Sequence, residues 1–124
     1  MLLIKTYIAP SPIHGAGLFA AEPIAKGAQI WRYLEDFDPV YPTSILIDGP
    51  ELVRAYLKLH AYPHYNDPRL IMLDGDDCRF MNHSADPNIS FPYGDITGHA
   101  LRDIAPGTEL TCNYEEFASG WYDI

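Results

Sequence analysis

The densest group of polar side chains able to take part in chemistry lies in residues 79–88, with the sequence RFMNHSADPN. Asn82 and His83 directly follow the large apolar residues Phe80 and Met81, so we expect this stretch to enter the interior. A buried amide or imidazole needs hydrogen-bond partners. Either a polar ligand supplies them, or both side chains bond neighbouring backbone carbonyls. Composition alone favours the second interpretation.

Two further segments have residues of chemical interest. Residues 14–19, HGAGLF, contain two glycines that let the backbone approach another group closely, although a lone Gly-x-Gly is more often a tight turn. No third glycine follows at dinucleotide-fold spacing and no Gly-Lys-Ser/Thr occurs, so these nucleotide folds are excluded.

Residues 109–117, ELTCNYEEF, place Tyr114 at the end of an alternating strand, where its hydroxyl could project at a rim. A core tyrosine with a satisfied hydroxyl is the default expectation.

The elements that must position these residues are short. Eleven prolines and nine glycines divide the 124-residue chain into pieces that mostly predict strands. One helix is predicted from Pro50, at its first position, and Glu51, with Pro63 ending it. Residues 36–44 before it predict an irregular loop, so we expect a mostly β domain with one clear helix. The predicted strands are residues 2–8, 17–21, 29–34, 69–73, 88–91, 98–102 and 109–114.

A weak internal repeat links two distant segments. Residues 24–30, IAKGAQI, match residues 104–110, IAPGTEL. In the second copy, Pro106 followed by Gly107 is typical of a type II turn. Both copies are predicted to turn the chain into a strand. Two copies do not indicate a solenoid.

Composition limits the classes of function. The net charge of −9 argues against direct nucleic-acid binding and suits a cationic partner, or only an acidic, soluble surface. Cys78 and Cys112 are too few for a disulfide framework or a tetra-cysteine metal site, which favours a reducing, intracellular compartment. No apolar run approaches the about 20 residues that span a membrane, and the start does not resemble a signal peptide. Among the five histidines only His60 and His64 have helical spacing, and Pro63 breaks it, so no metal site is expected.

Taken together, the order and spacing of the three segments closely resemble a SET domain. They supply a Gly-x-Gly turn, then Arg-Phe-Met-Asn-His-Ser-x-x-Pro-Asn, then Gly-x-Glu-Leu-Thr-x-x-Tyr. The resemblance covers residues 11–114, and the Asn-His-Ser-x-x-Pro-Asn element is highly specific. The family transfers a methyl group from S-adenosylmethionine to lysine side chains of proteins. The compact length is similar to that of the minimal viral and bacterial members.

The resemblance implies a mainly β fold with short helices, a β-clip-like set of small curved sheets with a C-terminal pseudoknot. It makes residues 1–124 a single SET domain. Within it, residues 41–65 would be the variable insert that grips the substrate, and residues 115–124 a short C-terminal tail.

The resemblance also assigns roles to single residues. The catalytic residue is Tyr114. Phe91 lines the lysine channel, where a Phe tends to permit higher methylation than a Tyr. Cys112 stands at a channel position where many relatives carry Phe or Tyr, and here it is expected only to pack. Tyr122 is assigned to the channel and Trp121 to the adenine. The cofactor-binding residues are His14, Gly15, Ala16, Gly17, Arg79, Phe80, Asn82, His83 and Trp121.

The implied function is protein-lysine N-methylation, with S-adenosylmethionine as cofactor and S-adenosylhomocysteine as product. No metal and no covalent intermediate are required, because the enzyme mainly aligns a neutral amine with the methyl group. The partner would be a basic, lysine-containing protein such as a histone tail, without nucleic acid or membrane, and a homodimer is left open. The expected location is intracellular, either bacterial cytoplasm or a host nucleus. The alternative is a non-catalytic SET-like protein-binding module, which loss of Tyr114 or of the Asn-His pair would have favoured.

Overall fold

The computed structural model describes residues 1–118, which form short strands, three short helices and one 3₁₀ turn, Asp77–Phe80. The helices are α1 (Ile45–Asp48), α2 (Glu51–His60) and α3 (Glu115–Ala118). The strands are β1 (Thr6–Pro10), β2 (Ala16–Ala20), β3 (Gln29–Arg32), β4 (Val40–Pro42), β5 (Tyr62–Pro63), β6 (Leu70–Met72), β7 (Asn82–His83), β8 (Ile89–Ser90), β9 (Thr97–Ala100) and β10 (Thr111–Cys112). The predicted mainly β architecture with short helices is confirmed.

The strands form three small sheets. β1 and β2 make an antiparallel hairpin, and β4, β6 and β5 make a three-stranded sheet in that order. The largest sheet has the order β3-β9-β8-β10-β7, so its last-numbered strand lies inside it. A two-stranded hairpin is at best marginally stable alone, so β1 and β2 depend on packing against the rest of the domain.

The insertion of β10 brings the polar segment and the C-terminal segment together. β10 pairs in parallel with β7, with Thr111 opposite Asn82, and with β8, with Cys112 opposite Ile89. β7 and β8 are joined by residues 84–88, so the chain encloses β10 between two strands that a short loop connects. Asn88 fixes this crossing, since its amide donates to the carbonyl of Glu109 at 2.8 Å and its oxygen accepts from the Thr111 N–H at 2.8 Å.

The two copies of the internal repeat contact each other. Ile24 and Ile104 exchange two backbone hydrogen bonds of 2.9 and 2.8 Å. Gly27 and Gly107 have φ of +83° and +86°, and each turn is closed by a backbone bond across it. The prediction that both copies turn the chain is confirmed for these turns, and their mutual pairing was not predicted.

The core is made of two apolar clusters. Leu18, Ile30, Ile89 and Leu110 are fully buried in the larger one, around the five-stranded sheet. Each such side chain contributes roughly 1.5–3 kcal/mol through burial. Leu57 of α2 belongs to the smaller cluster, which packs the helix on β6.

Two local predictions are wrong. Residues 36–44 are not an irregular loop, because they contain β4, and α1 follows at once. This segment is held by the buried carboxylate of Asp38, which accepts from the N–H groups of Leu34 and Gly75 at 2.9 Å each, and polar anchoring gives no apolar periodicity. The second wrong prediction is that Pro50 is the first residue of the helix. The helix begins at Glu51, and Pro50 precedes it as the cap, with an extended ψ of 148°.

Candidate active site

An aromatic pocket opens beside β5 and the five-stranded sheet. We use "aromatic pocket" for the cavity lined by Tyr33, Tyr62, Tyr65, Phe91, Tyr114 and Phe117. These rings come from β5, from α3 and from the residues that follow β3, β5, β8 and β10. The pocket therefore depends on the assembly of the whole domain.

Tyr114 is held at both its backbone and its hydroxyl. Its O–H donates to the carbonyl of Met81 at 2.7 Å, and its N–H donates to Nδ1 of His83 at 3.0 Å. The rings of Tyr114 and His83 lie 5.1 Å apart. Burial raises the pKa of Tyr114 above the ordinary value of about 10, so the side chain is a neutral phenol at physiological pH.

Phe91 is fixed in the wall of the aromatic pocket. Its ring makes edge-on contacts with Trp31 at 5.6 Å and with Phe117 at 5.8 Å. Gly98 makes room for it, because a Cβ there would lie 2.4 Å from the ring. The carboxylate of Glu116 accepts from the Phe91 N–H at 2.6 Å, which ties α3 to the end of β8.

Cys112 also lines the aromatic pocket, and its burial raises the pKa of the thiol. A neutral, buried thiol is a packing group and not a nucleophile. The structure thus brings Phe91, Cys112 and Tyr114 to one cavity, while their functional roles stay predictions.

Sequence reasoning missed several groups in this pocket. The Asp74 carboxyl accepts from the Tyr62 hydroxyl at 2.9 Å, and burial raises its pKa to about 6. The only sequence signal was an aspartate that ends the apolar run LIML. Trp31 also lines the pocket and is 5% exposed, and its buried indole N–H has no hydrogen-bond partner among residues 1–118. An unpartnered buried donor is a place where a polar ligand atom or a water is expected.

The Gly-x-Gly segment forms the loop of the β1–β2 hairpin and the start of β2, next to Asn82. The Asn82 amide nitrogen lies 3.1 Å from the His14 carbonyl, 3.3 Å from the Ala16 carbonyl and 3.0 Å from Oε2 of Glu109. Ser11 completes this network through bonds of 2.9 and 2.8 Å from its hydroxyl to the Glu109 carboxylate. Asn82 therefore fixes the loop, and sequence reasoning missed the roles of Ser11 and Glu109.

The two glycines of this segment differ in their surroundings. A Cβ at Gly17 would lie 2.6 Å from Oε2 of Glu109 and 3.0 Å from Cβ of Ser11, so a side chain there would displace the Ser11–Glu109 contact. Gly15 has a φ of +45°, and no atom lies within 4 Å of where its Cβ would be. The backbone of the loop thus presents an open face.

Three predicted cofactor residues remain. Arg79 and Phe80 lie near α2, and Trp121 lies beyond the described part of the chain. The Arg79 side chain donates to the carbonyl of Asp76 and to the hydroxyl of Tyr56, and it lines the aromatic pocket. The Phe80 ring contacts His60 of α2, with ring centres 5.7 Å apart. The structure thus places residues 14–17 beside Asn82, and His83 beside Tyr114. Arg79 shares the aromatic pocket with Tyr114 and, like Phe80, contacts α2. Trp121 and Tyr122 lie outside the described residues.

A family model described as the SET domain matches residues 15–115 of this chain. The chain belongs to the SET-domain family. Over 114 residues it is 32% identical to "Histone-lysine N-methyltransferase trithorax" of Drosophila virilis, and 30% identical to "Histone-lysine N-methyltransferase 2B" of Homo sapiens. Each alignment covers 85% of this chain but only 3% and 4% of those relatives, so the chain spans a small part of their length.

Solved structures give the same SET fold. The Chaetomium thermophilum Polycomb Repressive Complex 2 bound to GSK126 is 25% identical, with a TM-score of 0.69, and the match covers 92% of this chain and 16% of that chain. A structure described as that complex "in an autoinhibited conformation bound to S-adenosylmethionine" is 24% identical with a TM-score of 0.66, covering 92% of this chain and 16% of that chain. The expected SET fold is confirmed, while the resemblance to minimal viral and bacterial members stays a prediction.

Residues 1–118 give two further findings about this SET domain. No group of three or more His, Cys, Asp and Glu side chains in this range is placed to hold a metal ion. No helix in the same range is long and apolar enough to cross a membrane.

Proposed function

We propose that this SET domain is an S-adenosylmethionine-dependent protein-lysine N-methyltransferase acting on a basic protein such as a histone. The observation that carries the proposal is the Tyr114 hydroxyl, held on the Met81 carbonyl in the wall of the aromatic pocket. The names of the relatives, all histone-lysine N-methyltransferases, support the reaction and the substrate class.

The residues next to Tyr114 fit the proposed cofactor. The open backbone face at Gly15, the loop carbonyls fixed by Asn82, and the exposed His83 offer donors and acceptors for its amino-acid and adenine ends. When bound, S-adenosylmethionine supplies a methyl group on a positively charged sulfur.

The chain's own residues would prepare the substrate amine. A free lysine has a pKa of about 10.4 and is charged at neutral pH. The rings of Phe91, Tyr62 and Phe117 form a wall of low polarity, which disfavours the ammonium form over the neutral amine. The Tyr114 and Met81 oxygens can accept weak C–H···O contacts from a polarised methyl group and so align it. Phe91 has no hydroxyl to hold a water, which leaves space for more than one methyl group.

The net charge of −9 supports a cationic partner. A homodimer, an intracellular location and the division into an insert and a tail remain parts of this proposal. The direct test is incubation of the protein with labelled S-adenosylmethionine and purified core histones, followed by mass spectrometry of the modified lysines. Cofactor binding without any transfer to histones or to a whole lysate would instead support the non-catalytic module.

Methyl transfer is expected to rise between pH 7 and about pH 9. The neutral fraction of a lysine with a pKa of about 10.4 grows up to tenfold per pH unit in this range. Tyr114 stays neutral throughout, because burial raises its pKa. The measurement is single-turnover transfer to one peptide in buffers of constant ionic strength. An optimum below pH 7 would contradict the need for a neutral amine.

Asn82→Ala is expected to weaken binding of S-adenosylhomocysteine by roughly 1–3 kcal/mol, because the loop carbonyls and Glu109 lose a common donor. The measurement is isothermal titration calorimetry, with a thermal melt to show that the variant is folded. Asn66→Ala, at an exposed asparagine, is the matched control and should bind as the unaltered protein does. Unchanged affinity in both Asn82→Ala and His83→Ala would remove these residues from the cofactor site.

A further inference from the structure

The aromatic pocket reaches solvent at a turn between β8 and β9. Residues 92–95 form this turn, closed by a 3.0 Å bond from the Asp95 N–H to the Pro92 carbonyl, with Gly94 at a φ of +79°. The turn projects Tyr93, which is 71% exposed, and Asp95, and both line the pocket. This exposed part of the cavity is the pocket rim.

Two more tyrosines complete the pocket rim. The rings of Tyr33 and Tyr65 lie 6.0 Å apart, and Tyr65 stacks on His64 at 4.2 Å. The Tyr33 N–H donates to the Ile96 carbonyl at 2.8 Å, which fixes Tyr33 beside the turn. The rim thus presents three tyrosine side chains to an incoming group.

Carboxylates lie close to these rings, while the cationic side chain of Arg79, bonded to the Asp76 carbonyl and the Tyr56 hydroxyl, lines another part of the pocket. Glu35 and Asp36 are exposed and follow Tyr33 closely, and burial together with the charge of Glu35 raises the pKa of the Tyr33 phenol. Among residues 1–118, the ion pairs involve other carboxylates, so Glu35, Asp36 and Asp95 have no ion-pair partner within that range. A cation entering the rim would meet both carboxylates and ring faces.

We propose that the pocket rim, formed by Tyr33, Tyr65, Tyr93 and Asp95 with Glu35 nearby, binds a second cationic side chain of the substrate, close to the lysine that enters the aromatic pocket. Cations over tyrosine rings are attracted by the ring quadrupole, and an arginine also stacks on them through its planar guanidinium. A neutral residue would leave the carboxylates unpaired, so the rim selects lysines that have a basic neighbour. Trp31 lines the same pocket, and its buried indole N–H has no hydrogen-bond partner among residues 1–118. This inference rests on the proposed function, and it names the class of substrate sequence that the enzyme would select: a lysine with a basic neighbour.

The test separates recognition from catalysis. Fluorescent 11-residue peptides with a central norleucine in place of the target lysine are made with a single Arg or Gln at each position from three before to three after it. Fluorescence anisotropy gives their dissociation constants. We expect at least one position where Arg binds about 5- to 30-fold more tightly than Gln, the range of one or two cation–π and charge contacts.

Variants of the rim must remove this preference. Asp95→Asn keeps the acceptor for the Ile96 N–H, and Tyr93→Leu removes an exposed ring, so neither should unfold the domain. The preference for Arg should fall below about twofold in either variant. Asp48→Asn, which removes an exposed carboxylate of α1 that does not line the pocket, should keep it in full. Equal binding of Arg and Gln peptides at every position, or a preference that survives both rim variants, would overturn the inference.

The same peptides with lysine at the centre distinguish this inference from the proposed function. Methyl transfer to Arg and Gln peptides at equal rates would keep the function and overturn the rim as a selecting site. Selective binding of the norleucine peptides without transfer to any lysine peptide would keep the rim and overturn the enzyme.

Discussion

Tyr114→Phe is expected to slow single-turnover methyl transfer by roughly a hundred- to thousandfold while cofactor affinity stays the same. The change removes one oxygen and keeps the ring that packs against His83 and Phe117. If that oxygen aligns the methyl group, its loss costs about 2.7–4 kcal/mol in the transition state. The lost bond to the Met81 carbonyl should lower stability by only about 0.5–1.5 kcal/mol.

The measurement combines a thermal melt, a cofactor titration and a single-turnover assay on the same preparations. Tyr7→Phe is the matched control, because Tyr7 stacks on Phe19 of the β1–β2 hairpin and does not line the aromatic pocket. It should leave all three measurements unchanged. A folded Tyr114→Phe protein with near-normal turnover would reduce Tyr114 to a structural residue and defeat the proposed mechanism.

Asp74→Asn is expected to raise the free energy of unfolding by about 3 kcal/mol at pH 8 and to leave it unchanged at pH 4 or below. Burial raises the pKa of Asp74 from 3.8 to about 6, because the ionised carboxylate is poorly solvated beside Tyr62. Each pKa unit corresponds to about 1.36 kcal/mol. The folded state holds the proton more strongly than the unfolded state, so the contribution of Asp74 to wild-type stability is greatest below pH 4 and is lost as the pH rises through 6.

Asparagine avoids this loss because it carries no charge and can still accept from the Tyr62 hydroxyl. Chemical denaturation at several pH values between 4 and 8 gives the difference between the two proteins. Asp77→Asn, at an exposed aspartate of the neighbouring 3₁₀ turn, should show no comparable gain at pH 8. A stability difference between Asp74→Asn and wild type that is the same at pH 4 and pH 8 would contradict the assignment of a buried, ionised carboxyl.

The features that could be predicted from the sequence are those set by residues close together in the chain. The course of α2 followed from apolar spacing between Pro50 and Pro63, and the turns at Gly27 and Gly107 followed from their residue types, since only a few residues accept positive φ. The motif containing Asn82 was recognisable because its order of residue types is rare. Such signals lie within a few residues of one another.

The partners of buried polar groups could not be predicted in the same way. Asp38 reads as an ordinary loop residue, yet it is 1% exposed and holds Gly75 from 37 positions away. The bonds that hold Asn82 to Ser11 and the hairpin loop join residues 66 to 71 positions apart. No local pattern encodes such a pairing, because it depends on where distant elements pack.

The position of β10 also sets the order in which the candidate active site can assemble. Among residues 1–118, the only sheet partner of β7 is β10, and β10 must arrive between β7 and β8 from more than twenty residues further along the chain. We expect this parallel pairing to form late in folding, since the loop entropy is lost before any strand contact compensates for it. Until that step is complete, the strand that contains Asn82 and His83 lacks its sheet partner. The Tyr114 hydroxyl is also not yet placed to donate to the Met81 carbonyl. A partly folded chain would therefore lack the candidate active site, and the appearance of the proposed methyl transfer during refolding would mark the moment at which β10 pairs with β7.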